Sequence, residues 1–209
     1  MEENIAIMMA DLAGYTALTE THGSLSAAET VEKYLQIVQE SIVGDCWLHE
    51  QTGDEVMVIS PSADHLLATA KNIVRASISE DNFLMVHGGL HFGKAIKRNS
   101  RYFGTTVNVA ARITSLARSG TVLSTRDFLD ALDQKNRLQF EAMGKKNFKN
   151  LREPIEVFEL ASVNNPHHTI DPVCKMLIRK KETAVAHPYN HQLHFCNVTC
   201  RDIYMHAMA

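Results

Sequence analysis

The stretch Ile5-Ala6-Ile7-Met8-Met9-Ala10-Asp11-Leu12-Ala13-Gly14 joins an unbroken apolar run to a carboxylate and a turn glycine. Such a run predicts a buried strand, so Asp11 emerges where the strand ends and Gly14 permits a sharp turn. A charged side chain at that place is not expected in the core. Asp11 is therefore a candidate site residue, with a turn residue or a helix cap as the plain alternative.

A second carboxylate, Asp54, lies between two strand-like segments, Cys46–Gln51 and Glu55–Ile59. Thr52 and Gly53 are typical of turns, so Asp54 is predicted at the tip of a hairpin. If this hairpin pairs beside the first strand, the two carboxylates come together. Close carboxylates repel unless a cation lies between them, and hard oxygen ligands suit Mg²⁺ or Mn²⁺ bound jointly with phosphates.

Asn108 and Arg112 follow a break at residues 104–106 and begin an apolar-periodic stretch that runs to about Ala117. The pattern predicts a helix, and a spacing of four places both side chains on one face. A guanidinium keeps its charge and binds phosphate oxygens through paired N–H groups, while an amide can hold a ribose oxygen. The plain alternative is a surface arginine beside a helix-capping asparagine.

Three stretches, taken in order, resemble the class III adenylate/guanylate cyclase catalytic domain: Met9–Thr16, Gly53–Glu55 and Val107–Arg112. The pattern of that family is F-A-D-x-x-G-[FYS]-T, then G-D, then V-N-x-A-[AS]-R. The resemblance covers roughly residues 4–162, and it includes His91–Gly93 and the closing segment Gly144–Leu151. Several motifs in one order are far more specific than a single glycine-rich loop.

By this resemblance, Asp11 and Asp54 would hold two Mg²⁺ or Mn²⁺ ions, with help from the Leu12 carbonyl. The implied reaction is attack of the ribose 3′-oxygen on the α-phosphate of a nucleoside triphosphate, with pyrophosphate leaving. The product would be a 3′,5′-cyclic nucleotide made by two-metal catalysis.

The resemblance also implies that Asn108 orients the ribose, that Arg112 stabilises the transition state and that Lys149 contacts the terminal phosphates. An exposed loop lysine is the alternative for Lys149. In the family, the metal aspartates and the Asn/Arg pair at one substrate come from different subunits. Because this chain carries each half once, a head-to-tail, two-fold homodimer with two equivalent sites is implied.

The positions that select the purine depart from the usual pattern. Adenylate cyclases of the family typically carry Lys four residues before the second metal aspartate and Asp or Thr seven residues before the asparagine, where this chain has Glu50 and Arg101. Glu accepts from guanine N1–H and Arg donates to guanine O6, which favours GTP. An ion pair between Glu50 and Arg101 across the dimer interface, which would make base selection lax or the site inactive, is the alternative.

The C-terminal part has a different composition, since three of the four cysteines and six of the eleven histidines fall within residues 167–209. Two stretches resemble the YHS domain, a small treble-clef-like module. They are Asp171-Pro172-Val173-Cys174-Lys175-Met176 and Phe195-Cys196-Asn197-Val198-Thr199-Cys200. Cys174, Cys196 and Cys200 could bind Zn²⁺ or Cu(I), or could be plain buried thiols. The candidates for a fourth ligand are His187, His191, His194 and His206.

These patterns and resemblances predict an α+β fold with two units. Residues 1–162 are predicted as a ferredoxin-like βαββαβ cyclase core, and residues 163–209 as a small Cys/His-rich module beyond a polar boundary at 162–166. The chain has 21 basic and 24 acidic residues, a net charge of −3, which does not favour nucleic-acid binding. Asp11 interrupts the first apolar run, so no membrane span is expected and a cytoplasmic enzyme is predicted.

Two functions of different classes remain open at this point. The first is an active cyclase in intracellular signalling, modulated by its C-terminal metal module. The second is a non-catalytic dimer that senses nucleotide or metal through a degenerate cyclase fold. All four core polar positions favour the first, whereas Glu50 and Arg101 keep the second open. A C-terminal part that only solubilises the chain or docks a partner is a third possibility.

Overall fold

An eight-stranded, mixed sheet lies at the centre of the computed structural model, which describes residues 1–161 and 169–207. The strand order is β2-β3-β1-β4-β6-β8-β7, and β5 pairs with β4. The elements are β1 (Glu2–Leu12), α1 (Tyr15–Ser41), β2 (Trp47–Thr52), β3 (Glu55–Ser60), α2 (Ala63–Ser79), β4 (Val86–Arg98), β5 (Arg101–Phe103), α3 (Thr105–Thr114), β6 (Val122–Thr125), α4 (Arg126–Asp130), α5 (Gln134–Arg137), β7 (Phe140–Lys146), β8 (Ile155–Leu160), β9 (Thr169–Ile170), β10 (Leu177–Ile178), β11 (Val185–His187), β12 (Asn190–Phe195) and α6 (Val198–Ala207).

The first half of the chain has the predicted ferredoxin-like order. Elements β1-α1-β2-β3-α2-β4 give four neighbouring antiparallel strands in the order β2-β3-β1-β4. The hairpin of β2 and β3 pairs with β1 in a register that places Met9 opposite Met57 and Ala10 opposite Val56. The α+β fold and the position of the hairpin are therefore confirmed.

The side chains on the two faces of β1 pack into different hydrophobic clusters, because side chains alternate along a strand. One set of β1 side chains packs in the larger core with α1 and α2, and the alternate set packs in a second cluster with α3. The first set is Ala6, Met8, Ala10 and Leu12, and the second is Ile5, Ile7 and Met9. Asp11 continues the second set at the end of the strand, where it is only partly buried.

Helix α1 begins earlier than the periodicity predicted. Apolar residues at close to helical spacing between Ala27 and Val38 predict a helix from Ser26 to about Val43. The helix α1 instead starts at Tyr15, directly after Gly14 in the left-handed region at φ 95°. Gly23 interrupts the helix with φ 83° and ψ 169°, a conformation essentially confined to glycine. The interruption separates a first segment of about two turns, Tyr15–His22, from the longer amphipathic segment that the sequence predicted.

Helix α3 lies on the opposite face of the sheet from α1 and α2, against β1 and β4. A Cβ atom at Gly89 would come 2.5 Å from the Thr114 nitrogen, so glycine allows the helix to approach β4 closely. The Thr114 hydroxyl donates to the Met9 carbonyl of β1 at 3.0 Å. This bond fixes the end of α3 to the strand that carries Asp11.

The C-terminal segment shares the larger core. Cys174, Met176, Phe195 and Cys200 are buried in the same cluster as residues of α1, α2 and the sheet. Leu177 of β10 also forms an antiparallel bridge with Phe83, donating to its carbonyl at 2.7 Å. The predicted boundary at 162–166 lies outside the described residues. None of the described helices is long and apolar enough to cross a membrane.

Candidate functional site

The two carboxylates predicted from the sequence meet at one edge of the sheet. Asp11 is at the end of β1, and Asp54 is in the two-residue loop between β2 and β3, next to Gly53 at φ 62°. Because β3 pairs directly with β1, the loop lies beside the end of that strand. The Asp11 carboxylate lies close enough to Asp54 to act on its pKa.

Burial and neighbouring acids perturb the ionisation of Asp54 and of Glu55. Burial raises the pKa of Asp54 to about 7, assisted by the hydrogen bond with Asp11 and by its charge, and opposed by backbone N–H groups of Asp54 and Leu12. Burial also raises the pKa of Glu55, followed by the charges of Asp11 and Glu50. This donor set fits divalent cations, because oxygen ligands with excess negative charge are stabilised by Mg²⁺ or Mn²⁺.

Two further groups next to this acid pair were not identified from the sequence. His87 lies opposite Asp11 in the β1–β4 register, and burial lowers its pKa while the Asp11 charge opposes the shift. Tyr34 of α1 is fully buried, and burial followed by the Asp11, Asp54 and Glu55 charges raises its pKa well above the ordinary value. Neither the Tyr34 hydroxyl nor the His87 Nδ1 atom has a hydrogen-bond partner within residues 1–161 and 169–207.

Asn108 and Arg112 are both exposed on α3, on one side of the helix as the spacing predicted. Gly93 of β4 allows the start of this helix to approach, because a Cβ there would come 2.8 Å from the Thr106 hydroxyl. In the described part of the chain, no hydrogen bond or ion pair engages the Arg112 guanidinium. A cation that is held on a fixed helix and free to meet a ligand is what phosphate binding requires.

Glu50 and Arg101 do not contact each other within one chain. Glu50 lines a cavity of about 140 Å³ with Met9 and Met57, whereas Arg101 lines a separate cavity of about 410 Å³ beyond β4. Both side chains are exposed. Lys149 is also exposed, in the loop between β7 and β8.

A second cluster of ligating atoms joins the C-terminal segment to α1. The Sγ atoms of Cys174, Cys196 and Cys200 and one ring nitrogen of His22 all lie within 4.8 Å of one another. Cys196 Sγ is 3.5 Å from each of the other sulfurs, and His22 Nε2 is 3.6 Å from Cys196 Sγ and from Cys200 Sγ. The three cysteines predicted from the sequence are therefore brought together.

The histidine beside these cysteines is not one of the four candidates for a fourth ligand. The histidine in the cluster is His22, whereas none of His187, His191, His194 and His206 belongs to it. The physical reason is the interruption at Gly23, which ends the first segment of α1 at His22 and leaves this ring facing the cysteines. Of the four candidates, His191 and His206 are exposed, and His187 packs edge-on against Tyr204. Local sequence carried no signal for His22, which is separated from Cys196 by 174 positions.

Backbone hydrogen bonds order the cysteine loops around one buried acid. The Asp171 carboxylate is fully buried and accepts N–H bonds from Val173 at 2.7 Å, Cys174 at 3.2 Å and Cys196 at 2.7 Å. Asn197 Oδ1 accepts from the Cys200 N–H at 3.0 Å. The backbone N–H groups of all three cysteines are thus held by side-chain acceptors.

The thiols influence one another's ionisation. The hydrogen bond from Cys196 lowers the pKa of Cys174 to about 6, against the effect of burial. The same bond, followed by burial, raises the pKa of Cys196, and burial raises that of Cys200. One thiol therefore ionises readily, while full ionisation requires a cation among the sulfurs.

Sequence and structure comparisons agree on one relationship. Residues 1–162 match the sequence model described as the adenylate and guanylate cyclase catalytic domain. A pH-sensitive adenylate cyclase of Mycobacterium tuberculosis is 27% identical over 159 residues, covering 75% of this chain and 40% of that protein. An adenylate cyclase of Glutamicibacter nicotianae is 32% identical over 136 residues, covering 65% and 33%. The chain thus spans less than half the length of either relative.

The fold is similar to that of an adenylate cyclase of Trypanosoma brucei solved in its monomeric state. The TM-score is 0.69 at 21% identity, covering 78% of this chain and 91% of that chain.

Proposed function

Because this chain belongs to the adenylate and guanylate cyclase catalytic domain family, we propose that it is a purine nucleotide cyclase. It converts ATP or GTP to the 3′,5′-cyclic nucleotide and pyrophosphate. The observation that carries the proposal is the placement of Asp11 and Asp54 side by side at one edge of the sheet, where burial and the neighbouring carboxylate raise the pKa of Asp54 to about 7. Such a pair is expected where cations bind together with phosphates.

Asp11 and Asp54 would hold two Mg²⁺ or Mn²⁺ ions, and the Leu12 carbonyl contributes an oxygen at the same strand end. When bound, these ions make the ribose 3′-oxygen a better nucleophile and neutralise charge on the phosphates. The remaining tasks fall to side chains. Asn108 orients the ribose so that its 3′-oxygen is in line with the α-phosphorus, and Arg112 stabilises the charge that develops on the phosphate oxygens.

A two-fold homodimer would assemble this site. The acids lie at the end of β1, whereas Arg112 is exposed on α3 and has no partner in the described part of its own chain. A two-fold axis would place Asn108 and Arg112 of one protomer opposite Asp11 and Asp54 of the other, giving two equivalent sites. Lys149, exposed in the loop after β7, then contacts the terminal phosphates.

Base selection falls to Glu50 and Arg101. The carboxylate accepts from guanine N1–H and the guanidinium donates to O6, so GTP is the favoured substrate. Their lack of contact within the chain leaves both groups able to meet a base. The paired change Glu50→Lys with Arg101→Asp is expected to shift the ratio of turnover toward ATP by about tenfold or more.

The C-terminal segment is proposed as a YHS-like metal-binding module that modulates the catalytic domain. Its cysteines form one cluster, and its residues pack into the core that supports β1 and α1. A metal bound there can therefore influence the catalytic domain through packing, without any contact with the nucleotide.

Turnover assays test the proposal. The purified chain is incubated with ATP and with GTP in the presence of Mn²⁺, and cyclic nucleotide and pyrophosphate are quantified. Asp54→Ala is expected to abolish product, whereas Asp45→Ala, which removes an exposed carboxylate outside the site, is expected to leave it unchanged. Absence of turnover with both nucleotides would refute the enzyme and favour the nucleotide-sensing or metal-sensing dimer.

A further inference from the structure

We propose that His22 of the catalytic domain completes a four-coordinate Zn²⁺ site with Cys174, Cys196 and Cys200. One metal ion would then join the C-terminal segment to helix α1. The ion would also fix the turn that follows Asp11. The ligand set is Cys₃His, which is one of the closed tetrahedral sets typical of structural zinc.

The spacing of the ligand atoms suits a tetrahedral ion. Zinc bonds of about 2.3 Å to sulfur and about 2.0–2.1 Å to nitrogen place tetrahedral sulfurs about 3.8 Å apart and sulfur about 3.6 Å from nitrogen. The sulfurs of Cys174 and Cys200 each lie 3.5 Å from that of Cys196. His22 Nε2 lies 3.6 Å from two of the sulfurs. The two remaining pairs, Cys174 with Cys200 and Cys174 with His22, lie within 4.8 Å, so all four atoms surround one position.

The site is ordered by the protein around it. Cys174 and Cys200 are fully buried, and Cys196 and His22 are partly buried. The Asp171 carboxylate holds the backbone of Cys174 and Cys196 together through hydrogen bonds. Four protein ligands in a largely buried position leave no open coordination place, so the site is suited to a structural ion and not to catalysis at the metal.

His22 would place the ion at the end of a short helical segment. It is the last residue before the interruption at Gly23, so the ion would hold the far end of the short segment Tyr15–His22. The near end of that segment is also in contact with the module. A Cβ atom at Gly14 would come 2.4 Å from the Lys175 Cβ, and Lys175 directly follows a ligand cysteine.

Both ends of the segment are therefore tied to the cysteine-bearing loops, and Gly14, which directly precedes the segment, lies three residues after Asp11. Metal binding would restrict the turn between β1 and α1 and so fix the direction of the Asp11 carboxylate. This consequence for catalysis rests on the proposed function, whereas the metal site does not. The tests below use neither nucleotide nor turnover.

The first experiment determines the metal ligands in the full chain. The protein is loaded with Zn²⁺ under reducing conditions, bound metal is quantified, and X-ray absorption at the zinc edge counts the sulfur and nitrogen ligands. We expect one zinc per chain with three sulfurs and one nitrogen. His22→Ala should lose the nitrogen and weaken zinc binding by more than about tenfold, since even outer-shell changes typically cost about 10–100-fold.

Two control variants test for misfolding and for an effect of removing a histidine outside the cluster. His22→Cys should retain tight binding with four sulfurs, which separates loss of a ligand from misfolding. His191→Ala, the removal of an exposed histidine on β12, should leave three sulfurs and one nitrogen. A nitrogen ligand that persists in His22→Ala, a wild-type site without nitrogen, or a chain that binds no zinc would each overturn the proposal.

The second experiment tests the link to the Asp11 turn by hydrogen exchange with and without Zn²⁺. Amides of Ala13–His22 should exchange at least about tenfold more slowly with zinc in the wild type, and His22→Ala should remove most of this protection. Unchanged exchange across these residues on zinc binding would overturn the link. Failure of the chain to turn over nucleotide would leave both results unaffected.

Discussion

Asp171→Ala is predicted to destabilise the whole chain, because one buried carboxylate holds two loops of the C-terminal segment. Its oxygens accept backbone N–H bonds from Val173 and Cys196 at 2.7 Å and from Cys174 at 3.2 Å. A hydrogen bond to a charged group contributes about 1.5–3 kcal/mol. The two short bonds alone, at the lower value, give a loss of about 3 kcal/mol in the free energy of unfolding.

Because Cys174 and Phe195 share the core of α1, α2 and the sheet, this loss is expected in a single cooperative transition. For a domain of this size each kcal/mol lowers Tm by about 2–4 °C, so Asp171→Ala should melt about 6–12 °C below the wild type. Thermal unfolding is followed by circular dichroism with thiols reduced and a chelator present, so that metal release makes no contribution.

Asp171→Asn provides the matched comparison, because it keeps one carbonyl oxygen for Val173 and Cys174 but turns its amide toward the Cys196 N–H. It should fall between the wild type and Asp171→Ala. Asp202→Ala, which removes an exposed carboxylate on α6, should melt within about 2 °C of the wild type. If Asp171→Ala also melted within about 2 °C of the wild type, the reasoning from these hydrogen bonds would be refuted.

Three other predictions concern stability. Burial and Asp11 raise the Asp54 pKa to about 7, above its unfolded value of 3.8, so the protonated form stabilises the fold. In chelator, the Tm of the wild type relative to that of Asp54→Asn should fall as pH rises from about 4 to about 7, whereas the buried His87 and His91, whose pKa values are lowered, act in the opposite direction in both chains; parallel pH profiles for the two chains would contradict it. Gly14→Ala should lower the free energy of unfolding, measured with denaturant, by at least about 1 kcal/mol more than Gly144→Ala does. Both glycines have a positive φ, but an added Cβ meets Lys175 only at Gly14. Equal losses would show that this contact does not matter. Lys175→Gly should stabilise by up to about 1 kcal/mol because Lys175 has φ 67°; a loss of stability would show that this backbone conformation is not strained.

The first half of the site could be predicted because its signals are local. The apolar run before Asp11 and the turn chemistry at Gly53 each indicate where a strand ends, and β-pairing of adjacent segments then brings the acids together. The same holds for Asn108 and Arg112, whose spacing fixes one helix face whatever the helix packs against. That Asp54 has a perturbed pKa follows from this placement beside Asp11. The direction and the size of the shift depend on its burial, which only the structure gives.

The second cluster could be predicted only in part, because its ligands come from distant parts of the chain. Three cysteines at short spacings within one segment indicate convergence, but His22 reaches them through tertiary packing of α1 on the module. The helical interruption at Gly23 is equally invisible to periodicity, which detects only the longer amphipathic part of α1. Asp171 stands in the motif, yet its role as a shared acceptor depends on the approach of Cys196 in three dimensions.

A mixed-dimer experiment tests the central claim, that acids of one protomer and the arginine of its partner form each site. Asp54→Ala and Arg112→Ala chains are co-expressed in equal amounts with different tags, and cyclic nucleotide production is measured for the mixture and for each variant alone. Each variant alone should be inactive, while the mixture should recover roughly a quarter of wild-type activity, because half of the dimers are mixed and each mixed dimer holds one intact site. A mixture as inactive as the separate variants would contradict the account.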